Sequence, residues 1–552
     1  MYSVNYNYKM RIILTLILIL NSTQIKSQEK YNWESPLKIP LILSGTFGEL
    51  RSNHFHSGID FKTNKEIGIP IFAPASGYIS RIKVSPTGFG KAIYIGHENG
   101  LTTVYAHLEK FNEEINQYIL KKQYDLKTFS LDLTIEKEKF KLETGDTIGY
   151  TGNSGSSSGP HLHFEIRNTK NQHPLNPMNW DFEIKDTKKP IIESVFIYKL
   201  DDPLNIEKEK MINKKVIAGT FSFGIKTHDL IDLAENKNGI NTIEIYLDNQ
   251  LYYHYDIQEF SFSETKYINS LIDYKEYKKN KQKIYKCYIE ENNQLSVYKK
   301  IVNNGILKDL DEGIHSIKII VKDSYKNTEE QDFSFTYKKS QNEKSSNKNN
   351  AEVIDCNKDF SFKNENIQIL IPKKSLYTDC VFLLNTDKKN KKHTEYTIIN
   401  NKVPIHKRFE LSIKPDQGIS NPEKLIMIQI NNKDSVFVRS KWQNGKVTGK
   451  PISFGTFTLT KDNEKPKIEA VNFTKDLSNI SSIKFKIWDN LSGINDYFAE
   501  IDDQWVLIEY DAKNQLIEHN FINKPDGKDH KLYIKVSDKN GNFIEKEFHF
   551  VR

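Results

Sequence analysis

The chain has 552 residues, more than the roughly 250 to 300 that one hydrophobic core can serve, so several domains are expected. Hydrophobic residues make up 37% and charged residues 27%, the balance of a soluble folded protein, and the net charge of +7 is spread over 79 basic and 72 acidic residues without a long basic block. That distribution fits a mild attraction to anionic surfaces, argues against a nucleic-acid partner, and leaves disorder only a local role.

The N-terminus carries Lys9 and Arg11 before an apolar run at 12–20, followed by polar residues through Ser27. This is the pattern of a secretory signal peptide over 1–27. The run falls short of the roughly twenty residues a spanning helix needs. No later segment is apolar enough to cross a bilayer, so no membrane span is expected after signal cleavage. The mature protein is expected to be exported to the periplasm, the cell envelope or the extracellular space.

From 41 to about 180, short β-branched or alternating runs are broken by glycine and proline, and strands are expected at 70–73, 77–84, 92–96, 102–107, 147–150 and 161–167. Between them, the Lys/Glu-rich stretch at 111–140 has patchy apolar spacing that suits a helix or a small hairpin. It reads as an insertion at about 109–142 within a domain spanning 28–185. Beyond 185 the chain alternates again, as in Thr242-Ile243-Glu244-Ile245-Tyr246-Leu247, which argues for β-sandwiches.

An internal repeat divides this second part. Asp186, Lys189, Pro190, Ile192, Glu193 and Val195 recur at the same spacing as Asp462, Lys465, Pro466, Ile468, Glu469 and Val471. His315, Asp323 and Asn327 likewise match His530, Asp538 and Asn542. Two immunoglobulin-like β domains are expected, at 186–338 and 462–552. The longer first copy has a Tyr/Lys-rich stretch at 267–298 with no counterpart in the second. A polar linker at 339–351 and a β domain of unknown type at 352–461 lie between them. Three cysteines are present: Cys356 and Cys380 share one candidate domain and can pair in an oxidising compartment, which would leave Cys287 free. None belongs to a Cys-x-x-Cys zinc motif, and all three are read as structural.

The chemistry lies in the first domain. A zinc hydrolase needs three protein ligands drawn from His, Asp, Glu or Cys and one open coordination position. Arg51-Ser52-Asn53-His54-Phe55-His56-Ser57-Gly58-Ile59-Asp60 offers a histidine and a carboxylate four residues apart. Gly159-Pro160-His161-Leu162-His163-Phe164-Glu165-Ile166 offers two histidines on one face of a strand, with Leu162 and Phe164 facing the core. In Val104-Tyr105-Ala106-His107-Leu108 the same alternation is expected to put Tyr105 and His107 on one face. Glu165 alternates onto the histidine face, as an outer partner of the site or as a salt-bridged surface residue.

The order of these pieces, with the Gly/Ser turn at 152–159, the strand and turn at 68–77 and the segment at 145–152, resembles the lysostaphin-type, LytM-like family of peptidoglycan metalloendopeptidases. The resemblance covers about 45–177. It implies a mainly β fold: an N-terminal peptidase domain of the duplicated hybrid motif type, followed here by several β-sandwich domains. By the same resemblance His56, Asp60 and His163 are the Zn2+ ligands, while His107 and His161 stand beside the metal as catalytic acid–base groups. The interval to Asp60 that fits the family belongs to His56, so His54 is read as a bystander. His97 and His173 are read as structural, and Tyr105 as packing or groove lining. The implied activity is hydrolysis of peptide cross-links in peptidoglycan by an activated water. The alternative is a non-catalytic peptidoglycan-binding or regulatory envelope protein, which the intact residue set opposes. The insertion departs from the family's short connection and, starting directly after His107, is expected near the groove as a wall, a lid or a neutral surface excursion. The C-terminal β domains are expected to position the peptidase or to bind an envelope protein partner.

Overall fold

The computed structural model describes residues 33–339, 352–388, 393–399, 402–418, 420–431 and 434–552; the expected signal peptide at 1–27 and all of the expected linker after 339 lie outside the described residues. The architecture is mainly β. The peptidase domain is built on a large antiparallel sheet in the order Leu43–Gly45, Ile59–Lys62, His161–Asn168, Leu101–Leu108, Lys91–Gly96, Gly77–Val84, Leu131–Thr134. A three-stranded sheet of Pro70–Phe72, Thr147–Tyr150 and Lys110–Phe111 accompanies it. Alternation along the central strand does what the sequence suggests: Leu162, Phe164 and Ile166 enter the core, leaving His161, His163 and Glu165 on the opposite face.

The insertion is both helix and strand. Asn112 caps a helix over Glu113–Leu126 by accepting from the Ile115 amide, and Ile115 and Ile119 bury its apolar stripe. The chain then adds Leu131–Thr134 to the far edge of the large sheet, with Leu131 opposite Val84. The insertion thus starts directly after the strand that ends at Leu108, and its strand Leu131–Thr134 lies at the sheet edge remote from Ile59–Lys62.

The next unit has two sheets, one centred on Ile191–Lys199 and Phe221–Leu230, the other on Gly313–Lys322 between Thr242–Leu247 and Thr328–Lys338. Short helices Ile268–Leu271 and Tyr274–Asn280 fill the Tyr/Lys-rich stretch. Its core runs without a break into that of the peptidase domain. Residues 352–461 form two five-stranded sheets around a separate core, in which Cys356 and Cys380 are buried free thiols, as Cys287 is in the unit before. The last unit packs two four-stranded sheets around a third core.

The sequence repeat is also a repeat in three dimensions. His315 Nδ1 meets Asp248 Oδ2 at 2.6 Å and stacks on Phe335; His530 Nδ1 meets Asp502 Oδ2 at 2.6 Å and stacks on Phe550. The last unit folds back onto the peptidase domain. Trp505 packs edge-on against Tyr124 of the inserted helix, Lys91 pairs with Glu509 at 2.9 Å, and Lys513 Nζ donates to the carbonyls of Asn153 and Ser157.

Candidate metal centre and groove

Antiparallel pairing assembles the centre. Ile59–Lys62 lies against His161–Asn168 with Asp60 directly opposite His163, so carboxylate and imidazole share one face. The preceding loop brings in His56. His56 Nε2, Asp60 Oδ1 and His163 Nδ1 then stand 2.8 to 3.1 Å from one another, all three residues buried.

The outer contacts decide which atoms face the centre. His56 Nδ1 donates to the Thr46 carbonyl at 2.8 Å, which turns its Nε2 lone pair inward. His163 Nε2 donates to Glu165 Oε1 at 2.8 Å, which does the same for Nδ1. Asp60 Oδ2 accepts from Arg51 Nη2 at 2.8 Å, leaving Oδ1 for the centre. Three electron-pair donors at this range repel unless a cation or a proton lies between them. Burial opposes ionisation of Asp60, yet the surrounding imidazoles hold its carboxyl well below the usual range. Burial likewise opposes a charged His163, but its bonds to Asp60 and Glu165 push the imidazole up to about 9. A two-nitrogen, one-carboxylate set with ordered outer partners fits a zinc ion.

Glu165 combines both of its expected roles, in the interior rather than at the surface. It is fully buried, holds His163, accepts from Ser57 Oγ at 2.5 Å, and receives Arg167 Nε at 2.5 Å on its other oxygen. Burial pushes its carboxyl up, but Arg167 and His163 more than compensate and bring it down to about 2.

His161 and His107 flank the donors. The His161 ring lies 4.9 Å from that of His107, and its Nε2 stands 3.5 Å from Asp60 Oδ1. His161 Nδ1 donates to the Gly159 carbonyl at 2.8 Å and His107 Nδ1 to that of Ser154 at 2.9 Å, so each presents Nε2 to the groove. Burial, reinforced by His163 and His161, pushes the His107 imidazole down to about 3, so the ring is neutral near neutral pH and its Nε2 carries a lone pair toward the groove.

The expectation that Tyr105 and His107 share a face is corrected. Tyr105 lies opposite Phe164, is fully buried, packs its ring on Phe164 at 5.4 Å and donates to Thr103 Oγ1; it belongs to the core. Simple alternation would send His107 there too. His107 reaches the groove because its backbone is left-handed, with φ of 64°, which reverses its side chain at the strand end. The other histidines fall outside the donor cluster. His54 is exposed and bonds the Ser52 carbonyl, His97 is buried between the Ser76 carbonyl and Thr103, and His173 pairs with Glu259 of the next unit.

Sequence reasoning passed over three contributors. Phe89 lays its ring 5.2 Å from that of His163 and edge-on to His107. Arg51 fixes Asp60, an arrangement its place in the quoted motif leaves open. The third is the unit following the peptidase domain: Thr265 Oγ1 accepts from the Phe55 amide at 2.8 Å, Phe260 packs on Phe47 and Phe55, and the Gly239 amide donates to Thr46 Oγ1. The segment bearing His56 is thus pinned from outside its own domain.

Residues 54–124 and 129–177 match the family described as Peptidase family M23, and residues 351–462 match a Zu5-like domain. The DD-carboxypeptidase/endopeptidase Mpg of Neisseria meningitidis serogroup B is 32% identical over 157 residues, 28% of this chain and 30% of that protein. Lysostaphin of Staphylococcus staphylolyticus is 29% identical over 126 residues, 22% of this chain and 21% of that protein. A solved zinc-containing peptidase from Vibrio cholerae has 24% identity over 27% of this chain and 39% of its own, with a TM-score of 0.20. The chain spans about 30% of the length of the first of these relatives. The lysostaphin-type resemblance read from the motifs therefore holds, and the N-terminal part of the chain is a domain of peptidase family M23.

Proposed function

We propose that the protein is an exported zinc metalloendopeptidase that hydrolyses peptide cross-links of bacterial peptidoglycan. The observation that carries this reading is the convergence of His56 Nε2, Asp60 Oδ1 and His163 Nδ1 within 3.1 Å of one another, each turned inward by a separate outer contact. These residues would hold the metal, which when bound supplies Lewis acidity to a scissile carbonyl and to water. The neutral His107 takes the proton of the attacking water at Nε2. His161, across from it, presents Nε2 as a second acceptor, and the ring that takes the water's proton returns it to the leaving amine. Their backbone-anchored Nδ1–H groups keep both rings from turning. Phe89 and the loop at 152–159 wall the groove, and Lys513 of the last unit ties that loop from outside. A relative from Vibrio cholerae named peptidoglycan DD-endopeptidase ShyA, 26% identical over 159 residues, supports peptidoglycan as substrate, and the sequence pattern of 1–27 supports export.

The test is digestion of purified peptidoglycan with mass spectrometry of the new termini. Release of new amino termini from cross-linked stem peptides, abolished by chelation and by His163→Ala and restored by zinc in the unmutated chain only, is expected. Equal hydrolysis by His163→Ala overturns the mechanism. A chain that takes up zinc at one ion per molecule but cleaves no peptidoglycan overturns the substrate.

A further inference from the structure

Outside the peptidase domain, two groups of three aspartates draw together: Asp186, Asp229 and Asp323 in the second unit, and Asp462, Asp489 and Asp538 in the last, each with ligand oxygens within 4.8 Å of one another. The two groups are the same site built twice. Asp186 and Asp462 open the repeat, and Asp323 and Asp538 end the paired strands Gly313–Lys322 and Asp529–Asp538. Asp229 and Asp489 lie at the ends of Phe221–Leu230 and Ser482–Trp488, in each case shortly before a Gly-Ile-Asn sequence.

Each group is braced on one side by an asparagine. Asp323 accepts from the Asn327 amide at 2.9 Å and side chain at 2.7 Å, and Asp538 from those of Asn542 at 2.8 and 2.7 Å. The same asparagines donate to the main-chain carbonyls of Asp186 and Asp462, which locks the entry residue of each unit over the site. Asp489 Oδ2 accepts from the Gly493 amide at 2.7 Å while its Oδ1 is buried without a partner. Asp229 and Asp462 are 1% and 0% exposed, yet Asp229 Oδ1 and both carboxylate oxygens of Asp462 lack a hydrogen-bond partner. Among the described residues no lysine, arginine or histidine pairs with any of the six. Buried carboxylate oxygens without donors are costly, and two equivalent occurrences make an accidental cluster a poor explanation. Burial and the neighbouring acids also push Asp186 up to about 7 and Asp229 up to about 8.

We propose that each group binds one calcium ion, so that the chain carries two structural calcium sites at the entry points of its two related β units. Oxygen-only donors select a hard cation, and a flexible carboxylate cage suits calcium's larger, variable coordination better than the strict octahedron of magnesium. Because Asp186 follows directly on the peptidase domain and Asp462 closes the Zu5-like region, bound calcium would stiffen both junctions.

The experiment is equilibrium dialysis of the zinc-loaded full chain against radiocalcium, with thermal unfolding in calcium, magnesium or a calcium-selective chelator. Two calcium ions per chain are expected, with dissociation constants of roughly 10⁻⁴ to 10⁻³ M. Asp229→Asn and Asp489→Asn should each remove one ion, weakening that site at least about 100-fold, and the double variant should remove both. Calcium should raise the melting temperature of the unmutated chain by about 5 °C or more, and that of the double variant not at all. In chelator the asparagine variants should melt no lower than the unmutated chain, since they remove like charge at constant volume. No calcium uptake, uptake unchanged in both variants, an equal response to magnesium, or variants that melt lower in chelator would each overturn the proposal.

Discussion

Glu165→Gln probes the proposed metal centre through a residue outside the proposed ligand set. The substitution keeps volume and shape but removes the charge that His163 Nε2 and Arg167 Nε share. Two effects separate. His163 loses its charge-assisted anchor, and loss of such an outer contact weakens metal binding about 10- to 100-fold, or about 1.4 to 2.8 kcal/mol. Arg167, 6% exposed, is left without its carboxylate, and breaking one side of a buried pair costs about 3 to 5 kcal/mol of folding stability. Adding Arg167→Met removes the stranded cation, so the double variant should recover most of the stability but none of the zinc affinity. Competition with a chromogenic chelator measures affinity, and denaturant unfolding measures stability. Zinc affinity within about twofold of the unmutated chain in Glu165→Gln, or affinity that returns with stability in the double variant, would refute the assignment of Glu165 as the positioning partner of His163.

His107→Ala is expected to lower kcat about 10²- to 10⁴-fold with zinc content unchanged, whereas His54→Ala, which changes an exposed ring, should leave both within about twofold in peptidoglycan digestion and metal analysis. A chain ending at 185 exposes Phe47 and Phe55 and loses the Thr265 contact to the His56 segment; it should be aggregated or inactive, and a folded, fully active fragment on sizing and digestion would contradict the shared core. Phe260→Ala is the milder form of that test, costing about 3 to 5 kcal/mol by denaturant unfolding. Acid should loosen the contact between the second unit and the Zu5-like region. His406, flanked by the rings of Tyr267 and Tyr377, is brought down to about 4 by burial and by Lys266 and Lys407. Its stabilising share is present above pH 6.5 and lost as pH falls toward 4. His406→Phe should flatten that part of the stability profile by on the order of 1 kcal/mol in thermal melts across this window.

By itself the sequence determined the elements and the chemistry that local rules govern. Period-two alternation places His161 and His163 together and Leu162 and Phe164 behind them, and the strand Thr242–Leu247 has the limits its pattern implies. The repeat from Asp186 and Asp462 onward is legible because identical intervals need no tertiary knowledge. The His-x-x-x-Asp and His-x-His pairs are each weak alone, and it is their conjunction, with the Tyr-Ala-His-Leu and Gly/Ser-rich segments between them, that points to a metal centre. Only the tertiary structure decided what depends on a backbone reversal or on distant partners. His107 enters the groove through one left-handed residue that alternation cannot foresee. Glu165 is a buried bridge between His163 and Arg167 rather than a choice between two roles. The His56 loop takes its support from Phe260 and Thr265, some two hundred residues away in sequence, and each aspartate group forms only where two strand ends meet the segment that leads into its unit. The division has one physical cause: side-chain direction follows from neighbouring residues, whereas burial, pairing and charge compensation belong to residues that the fold alone brings together.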